Sequence, residues 1–164
     1  MADNIKEKEH NLKFQILMNI YYHEYLENKY NKLLNWAAFV SILFSSAAFF
    51  AIGDLIPSYF FITKNTIIIF FAFFISSYNA YILAFGVLDN LIKHRDLKKK
   101  WTDLRGNMLA SETKLDINEL QLLEKTFHNI SSDEPPVNDK VLKKAFNLAC
   151  RSMGLIDDNS KNNC

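Results

Sequence analysis

An uncharged run of about two dozen residues, Asn65 to Leu88, constrains the fold of this chain more than any other feature. The run lies between Lys64 and Asp89, and its few polar groups leave no helical face predominantly polar. A buried helix of a soluble domain is usually shorter and carries a polar stripe on one face. We therefore predict a transmembrane helix over residues 65–88.

A second uncharged run, Leu33 to Gly53, lies just upstream between Lys32 and Asp54. It holds about 20 residues, the length that crosses a bilayer as one α-helix. Because only a short segment separates the two runs, they predict a transmembrane helical hairpin. The predicted fold class is an all-α membrane protein.

The segments on either side of the hairpin carry apolar stripes at helical spacing. Before it, such residues recur at i, i+4 and i+8, and after it they follow a similar pattern. Two helices that leave one hairpin side by side can bury these stripes against each other. We predict an antiparallel cytoplasmic stalk, continuous with the spans, which ends around Gly106 and Ser111. Its predicted packing residues are Leu12, Ile16, Ile20, Leu97, Trp101 and Leu104.

Two short helices are predicted beyond the stalk. Asp116 with Glu119 three residues later has the form of an N-terminal capping box, which predicts a helix after it. Pro135 and Pro136 then interrupt the helical pattern, since proline cannot continue a helix. Asn138 or Asp139 can cap a last helix, for which Gly154 is a typical C-terminal stop.

The predicted organisation thus has three parts. Residues 1–110 form the hairpin with its helical extensions, 111–156 form a C-terminal cytoplasmic helical pair, and 157–164 form a disordered tail. Basic residues crowd before residue 33 and after residue 88, whereas Lys64 alone lies between the spans. The positive-inside rule then places both termini in the cytoplasm.

No catalytic, cofactor or metal site is predicted. The tripeptide His94-Arg95-Asp96 matches the start of a kinase catalytic loop, but Trp101 stands where that loop needs a metal-binding asparagine. The histidines are scattered, and no two of them lie at i, i+4 with a carboxylate to make a metal site. Net charge is only +1, so no nucleic-acid partner is expected. Lys98, Lys99 and Lys100 either contact anionic lipid headgroups or serve as an ordinary positive-inside anchor.

Small residues recur every four positions in both predicted spans. Such stripes let helices approach closely in lipid, where packing and weak hydrogen bonds replace the hydrophobic drive. Two interpretations remain open: packing within one hairpin, or an oligomer or pore face with Asn79 paired to its symmetry mates. The candidate residues are Ser41, Ser45, Ala72, Ser76, Asn79, Ala80 and Ala84.

Several of these residues resemble the SLATT group of small bacterial and prophage proteins with two membrane spans. The resembling stretches are Tyr22-His23-Glu24 with Trp36, then His94, Leu97, Trp101 and Leu104, and finally Glu134-Pro135-Pro136 with Asn147 and Gly154. The resemblance covers nearly the whole chain, with short and loose motifs. It implies a location in the bacterial inner membrane and no catalytic residue.

What the resemblance implies for function is a homo-oligomeric effector of phage defence that permeabilises the membrane. A sensor protein or a nucleotide second messenger is expected as the trigger. The alternative is a membrane interaction protein without a pore, such as a superinfection-exclusion factor or a scaffold. Neither role is enzymatic.

Overall fold

The structure is a computed structural model that describes residues 2–45, 64–111 and 116–155, and every regular element in these ranges is an α-helix. The helices are α1 Ala2–Ser45, α2 Lys64–Ala84, α3 Val87–Ser111, α4 Ile117–Ser132 and α5 Asp139–Ser152. The predicted all-α class is confirmed for these ranges. The predicted first span beyond Ser45, the loop after it and the tail 157–164 lie outside the described residues.

Contacts divide the chain into two compact units. Unit 1 comprises Met1–Asn28 and Ile92–Cys164, and unit 2 comprises Lys29–Leu91. Unit 1 therefore contains the first part of α1, most of α3 and both C-terminal helices. Unit 2 contains the rest of α1, all of α2 and the first turn of α3.

Unit 1 has a hydrophobic core in which α1 and α3 run antiparallel. Glu27 pairs with Arg95 toward one end of the two helices, while Ile16 and Met108 line one cavity toward the other. Trp101, at the centre, is fully buried. Of the six residues predicted to pack in the stalk, five are buried core residues and Ile20 packs against them partly buried. Helix α4 adds Leu120, Leu123 and Ile130 to this core.

The C-terminal helices begin at the predicted caps. Asp116 Oδ1 accepts a hydrogen bond from the Asn118 backbone N–H at 2.8 Å, and Asn138 Oδ1 accepts one from Val141 N–H at 3.3 Å. These side chains satisfy amide groups that the first turn of a helix leaves without partners. At the end of α5 Gly154 adopts a φ of 70°, the left-handed conformation that stops many helices.

Of the two positions around which the stalk helix was predicted to end, Gly106 and Ser111, the helix ends at Ser111. Helix α3 continues through this glycine to Ser111. Glycine costs about 1 kcal/mol relative to alanine within a helix. Leu104 and Met108, on either side of it, are both buried in the core, and their packing outweighs that cost.

The predicted continuity of the second span with the stalk is also wrong, because the helix breaks at Phe85 and Gly86. Gly86 has a φ of 54°, which favours glycine over any residue with a Cβ. The side-chain Nδ2 of Asn90 donates to the Phe85 carbonyl at 3.2 Å and so satisfies one group that the break exposes.

Within the described residues, no helix taken singly has the length and apolar character needed to cross a bilayer. The segments Ile69–Ala84 and Val87–Ala110, which are separated by a break, reach that length and apolar character only when they are taken together.

Candidate functional site

The main cluster of polar side chains in unit 1 is buried between α1, α3 and the segment that joins α4 to α5. His23 lies on α1 in phase with the core residues Ile16 and Leu26, and His94 lies one turn before Leu97 on α3. Helical spacing therefore turns both imidazoles toward the core. His23 is 0% exposed and His94 is 4% exposed.

The two imidazole rings contact each other directly. His23 Nδ1 and His94 Nδ1 lie 2.9 Å apart, and His23 Nε2 lies 3.2 Å from Glu134 Oε1. Because a carboxylate oxygen only accepts, His23 Nε2 carries a hydrogen. A hydrogen bond between the two Nδ1 atoms then needs one hydrogen between them, so one ring donates and the other accepts.

Glu134 connects this pair to the core. Its Oε1 also accepts a hydrogen bond from Trp101 Nε1 at 3.0 Å, so one oxygen receives donors from both α1 and α3. Four residues further on, the backbone N–H of Asn138 donates to the hydroxyl of Tyr22 at 3.0 Å. The segment 134–138 is therefore attached to α1 at both of its ends.

Burial lowers the pKa of His94 to about 4, with further lowering by the charges of His23 and Lys93 and a smaller opposing effect of Glu134. His94 is therefore neutral at neutral pH. The rings are also closed to solvent, which leaves no space for an organic substrate beside them. The chemistry open to the cluster is binding and release of protons.

A shell of ion pairs surrounds one side of the cluster. Glu27 pairs with Lys98 and accepts a hydrogen bond from Arg95 Nε at 3.1 Å. Lys98 and then Arg95 lower the pKa of its carboxyl group, against an opposing effect of burial. Lys100 pairs with Asp133 at 2.9 Å. Two of the three lysines that are candidates for lipid-headgroup contact thus have carboxylate partners within unit 1, and Lys99 is exposed.

The candidate oligomer residues of α2 lie in unit 2 and are exposed. From Ile69 onward, the half-buried positions of this helix are Phe71, Ile75, Tyr78 and Ile82, and the Tyr78 hydroxyl donates to the Leu33 carbonyl at 3.5 Å. At 100° per residue, the small-residue stripe of Ala72, Ser76, Ala80 and Ala84 lies on the opposite side of the helix.

Asn79 and Ser41 make a different contact. Asn79 Nδ2 donates to Ser41 Oγ at 3.4 Å within unit 2, so these two members of the candidate set join helices of the same chain. The side chain of Ser45 lies outside those that the structure describes.

A cavity of about 200 Å³ lies elsewhere in unit 1. It is smaller than most small-molecule sites, which measure roughly 300 to 1,000 Å³. Its wall includes Lys13, which pairs with Glu9 at 2.7 Å, and the unburied Arg105. Across the described ranges, no group of three or more His, Cys, Asp or Glu side chains is placed to hold a metal ion.

Searches for related proteins give no further guide. No protein-family model, curated protein or solved structure matches this chain.

Spacing along the sequence did not predict the histidine cluster. His23 and His94 are 71 positions apart, and His23 and Glu134 are 111 apart. The available signal was the placement of His23 and His94 in phase with apolar stripes, together with Glu134 before two prolines. The residues quoted for the SLATT resemblance include all three members of the cluster and Trp101.

Proposed function

We propose that this chain is a membrane effector, with unit 2 in the lipid bilayer and unit 1 in the cytoplasm of a bacterium. The observation that carries the proposal is the exposure of large apolar side chains on unit 2. Phe73 is 72% exposed and Leu83 is 84% exposed, and the other members are Trp36, Phe39, Ile42, Leu43, Ile69, Phe70, Phe74, Tyr81, Phe85 and Leu88. A contiguous apolar surface of this kind is rare on soluble monomers and is typical of membrane or protein contacts.

The lack of charged side chains on the exposed surface of α2 between Ile69 and Ala84 favours lipid over a protein partner as the environment of unit 2. The exposed surface of α2 from Ile69 to Ala84 has no charged side chain, whereas protein interfaces usually have a polar and charged rim. Hydrogen bonds from Tyr78 and Asn79 to α1 help to hold the two helices of the proposed transmembrane hairpin together. The proposed spans are residues 33–53 and 65–88, with both termini in the cytoplasm.

The small-residue stripe of α2 supports assembly of several copies. In lipid, side chains of this size permit close helix contact, and the stripe is exposed on the side opposite the half-buried positions. Association through it forms the homo-oligomer, which permeabilises the inner membrane when unit 1 receives its trigger. The proposed trigger is a sensor protein or a nucleotide second messenger, and the proposed setting is phage defence.

The rival function is a membrane interaction protein that excludes superinfecting phage without opening a pore. It uses the same apolar surface but needs no depolarisation. Neither function uses catalysis, a cofactor or nucleic acid, and the closed histidine cluster fits this non-enzymatic role.

Expression in a bacterial host with a membrane-potential dye separates these functions. We expect depolarisation by the parent chain and loss of it with Ala80→Phe, because the phenyl ring blocks close approach at the stripe. Phe74→Trp is the control, since it adds bulk at an exposed position away from the stripe. Membrane insertion, measured by alkaline extraction, is expected to be equal for all three proteins.

Normal potential combined with phage protection by the parent would favour the exclusion factor. Depolarisation by Ala80→Phe at the parent's level would contradict association of the copies through the small-residue stripe. Recovery of the parent chain in the soluble fraction would overturn the membrane proposal itself.

Topology gives an independent test. Single cysteines at Ser58 and Ser132, in a background without the native cysteines, are labelled in intact cells with a reagent that does not cross membranes. We expect labelling at Ser58 only. Labelling at Ser132 would contradict the cytoplasmic placement of unit 1.

A further inference from the structure

We propose that His23 and His94 form a proton-sensitive latch that holds the segment 134–138 against α1 and α3 and releases it when both imidazoles become charged. This latch is contained in unit 1, and the proposal goes beyond the membrane role and does not depend on it. Its ligand is the proton.

The contact between the rings admits only some protonation states. When both histidines are neutral, one Nδ1 donates to the other across 2.9 Å. When one ring is a cation, its Nδ1–H donates to the neutral partner, and the contact remains. When both rings are cations, each Nδ1 carries a hydrogen, so two donors and two positive charges face each other. The third state cannot keep this geometry.

The surrounding charges set the condition for release. On α1 the nearby ionisable groups are Tyr22 and Glu27, and Glu27 already pairs with two cations of α3. On α3 the nearby charges are the cations Lys93, Arg95 and Lys98. On the connecting segment Asp133 pairs with Lys100, and Glu134 contacts His23. Glu134 can balance one imidazolium, and the second imidazolium would face an excess of positive charge.

Release of the latch has a defined mechanical consequence. Repulsion between the two charged rings displaces His23 from the position in which its Nε2 reaches Glu134. The segment then keeps its contacts with Trp101 and Tyr22 but loses the one with His23. Pro135 and Pro136 lack backbone N–H groups, so neither can donate a hydrogen bond that would hold the segment in place. The low pKa of His94, about 4, places the release in acid.

The test uses the full chain in detergent, with Trp36→Phe so that Trp101 is the sole tryptophan. Trp101 emission and far-ultraviolet circular dichroism are followed together from pH 7.5 to pH 3.5. We expect the emission to change in acid while the helical signal is retained, since the segment leaves and the helices stay. Simultaneous loss of both signals would overturn the proposal.

Substitutions assign the transition to the histidine pair. His94→Asn keeps an amide near the position of Nδ1 but cannot titrate, and we expect the emission transition to disappear or to move by at least about one pH unit. His10→Asn and His128→Asn alter exposed histidines and are the matched controls, with no change expected. A transition at the parent's pH in His94→Asn would contradict the latch.

Glu134→Gln gives a second prediction with a definite sign. The amide oxygen can still accept from Trp101 and His23, but the negative charge that favours an imidazolium in the latched state is gone. The latched state then binds protons less readily, so release is expected at a higher pH than in the parent. Release at the same or a lower pH would overturn the role given to Glu134.

A measurement on the unsubstituted chain covers the case in which His94→Asn does not fold. Amide hydrogen exchange, corrected for the intrinsic effect of pH, is expected to accelerate at Asp133, Glu134, Val137 and Asn138 in acid while α1 and α3 stay protected. Unchanged corrected exchange in this segment would count against the latch.

Discussion

Units 1 and 2 both consist of long α-helices rich in apolar residues, but they differ in whether the apolar side chains are buried or exposed. In unit 1 the apolar stripes are buried against one another, and Trp101 is wholly enclosed. In unit 2 the aromatic and aliphatic side chains are largely exposed, and Trp36 is 62% exposed. The two tryptophans of the chain therefore lie in contrasting environments.

The comparison shows that apolar content alone does not define a core. Unit 1 alternates its apolar residues with charged ones at helical spacing, so each helix has one face to bury. Helix α2 is apolar around most of its circumference, so one neighbouring helix cannot cover it. The surplus surface needs another apolar environment, and we assign that role to lipid.

The largest difference is expected between the two tryptophans. Trp101→Ala removes a fully buried indole and its hydrogen bond to Glu134, and should lower the free energy of unfolding by about 3 to 5 kcal/mol. Trp36→Ala should change it far less. Denaturant titration in detergent, followed by circular dichroism, measures both. Equal losses would mean that the contrast in burial does not govern stability.

Acid is expected to destabilise unit 1 through His94. Its pKa is about 4 in the folded chain and 6.5 when unperturbed, so the unfolded chain takes up a proton that the folded chain does not. Its contribution is fully present above pH 6.5 and is lost as pH falls towards 4, by about 3 kcal/mol in total. The pKa of Glu27 is lowered, so its own contribution is lost only below about pH 4.5.

Unfolding free energies at pH 7, 6 and 5 in the parent and in His94→Asn isolate this effect. The parent should lose stability over that range, and the variant should lose less. Parallel curves would assign the pH dependence to other groups.

A charge should have opposite consequences on the exposed residues of the two units. Phe73→Asp in unit 2 adds a cost of about 3 kcal/mol if the side chain faces lipid, and should reduce recovery in the membrane fraction. Leu122→Asp in unit 1, where Leu122 is 65% exposed, is the matched change at a water-facing site. Its membrane recovery should equal the parent's. Equal recovery of the two variants in the membrane fraction would contradict the assignment of Phe73 to lipid and of Leu122 to water.

The smallest effects are expected from the ion pairs of unit 1. Glu27→Gln affects a mostly buried carboxylate with two cationic partners and should cost about 1 to 3 kcal/mol. Lys100→Ala breaks a pair in which both side chains are half exposed, and should cost less than about 1 kcal/mol. Denaturant titrations at low and high salt measure how much free energy of unfolding each of the two variants loses. A larger loss from Lys100→Ala would show that the pair with Asp133 contributes more than its exposure suggests.

The sequence was most informative where one local pattern determined the outcome. Leu97, Trp101 and Leu104 were identified as core residues by spacing alone, and Asp116 and Asn138 as caps by residue type. These features depend on the geometry of a single helix, which a few adjacent residues determine.

Features that depend on tertiary packing were harder to predict. Gly106 and Gly86 have similar local preferences, yet one lies inside a helix and the other ends one. The core on either side of Gly106 makes that difference, and it is visible only in three dimensions. The pairing of His23 with His94 likewise depends on how two distant helices align.

The helix break at Gly86 has a consequence for depth in the proposed membrane. Where α2 stops, its last carbonyl groups lose their helical partners, and hydrocarbon cannot supply new ones. Asn90 Nδ2 satisfies the Phe85 carbonyl, and the backbone N–H groups of Gly86 and Asn90 satisfy the carbonyls of Leu83 and Gly86. In the proposed membrane we place the break near the headgroups, because the charged Asp89 follows Gly86 by three residues. On that proposal Gly86 marks the depth at which α2 ends, and the apolar residues before it extend inward from that level.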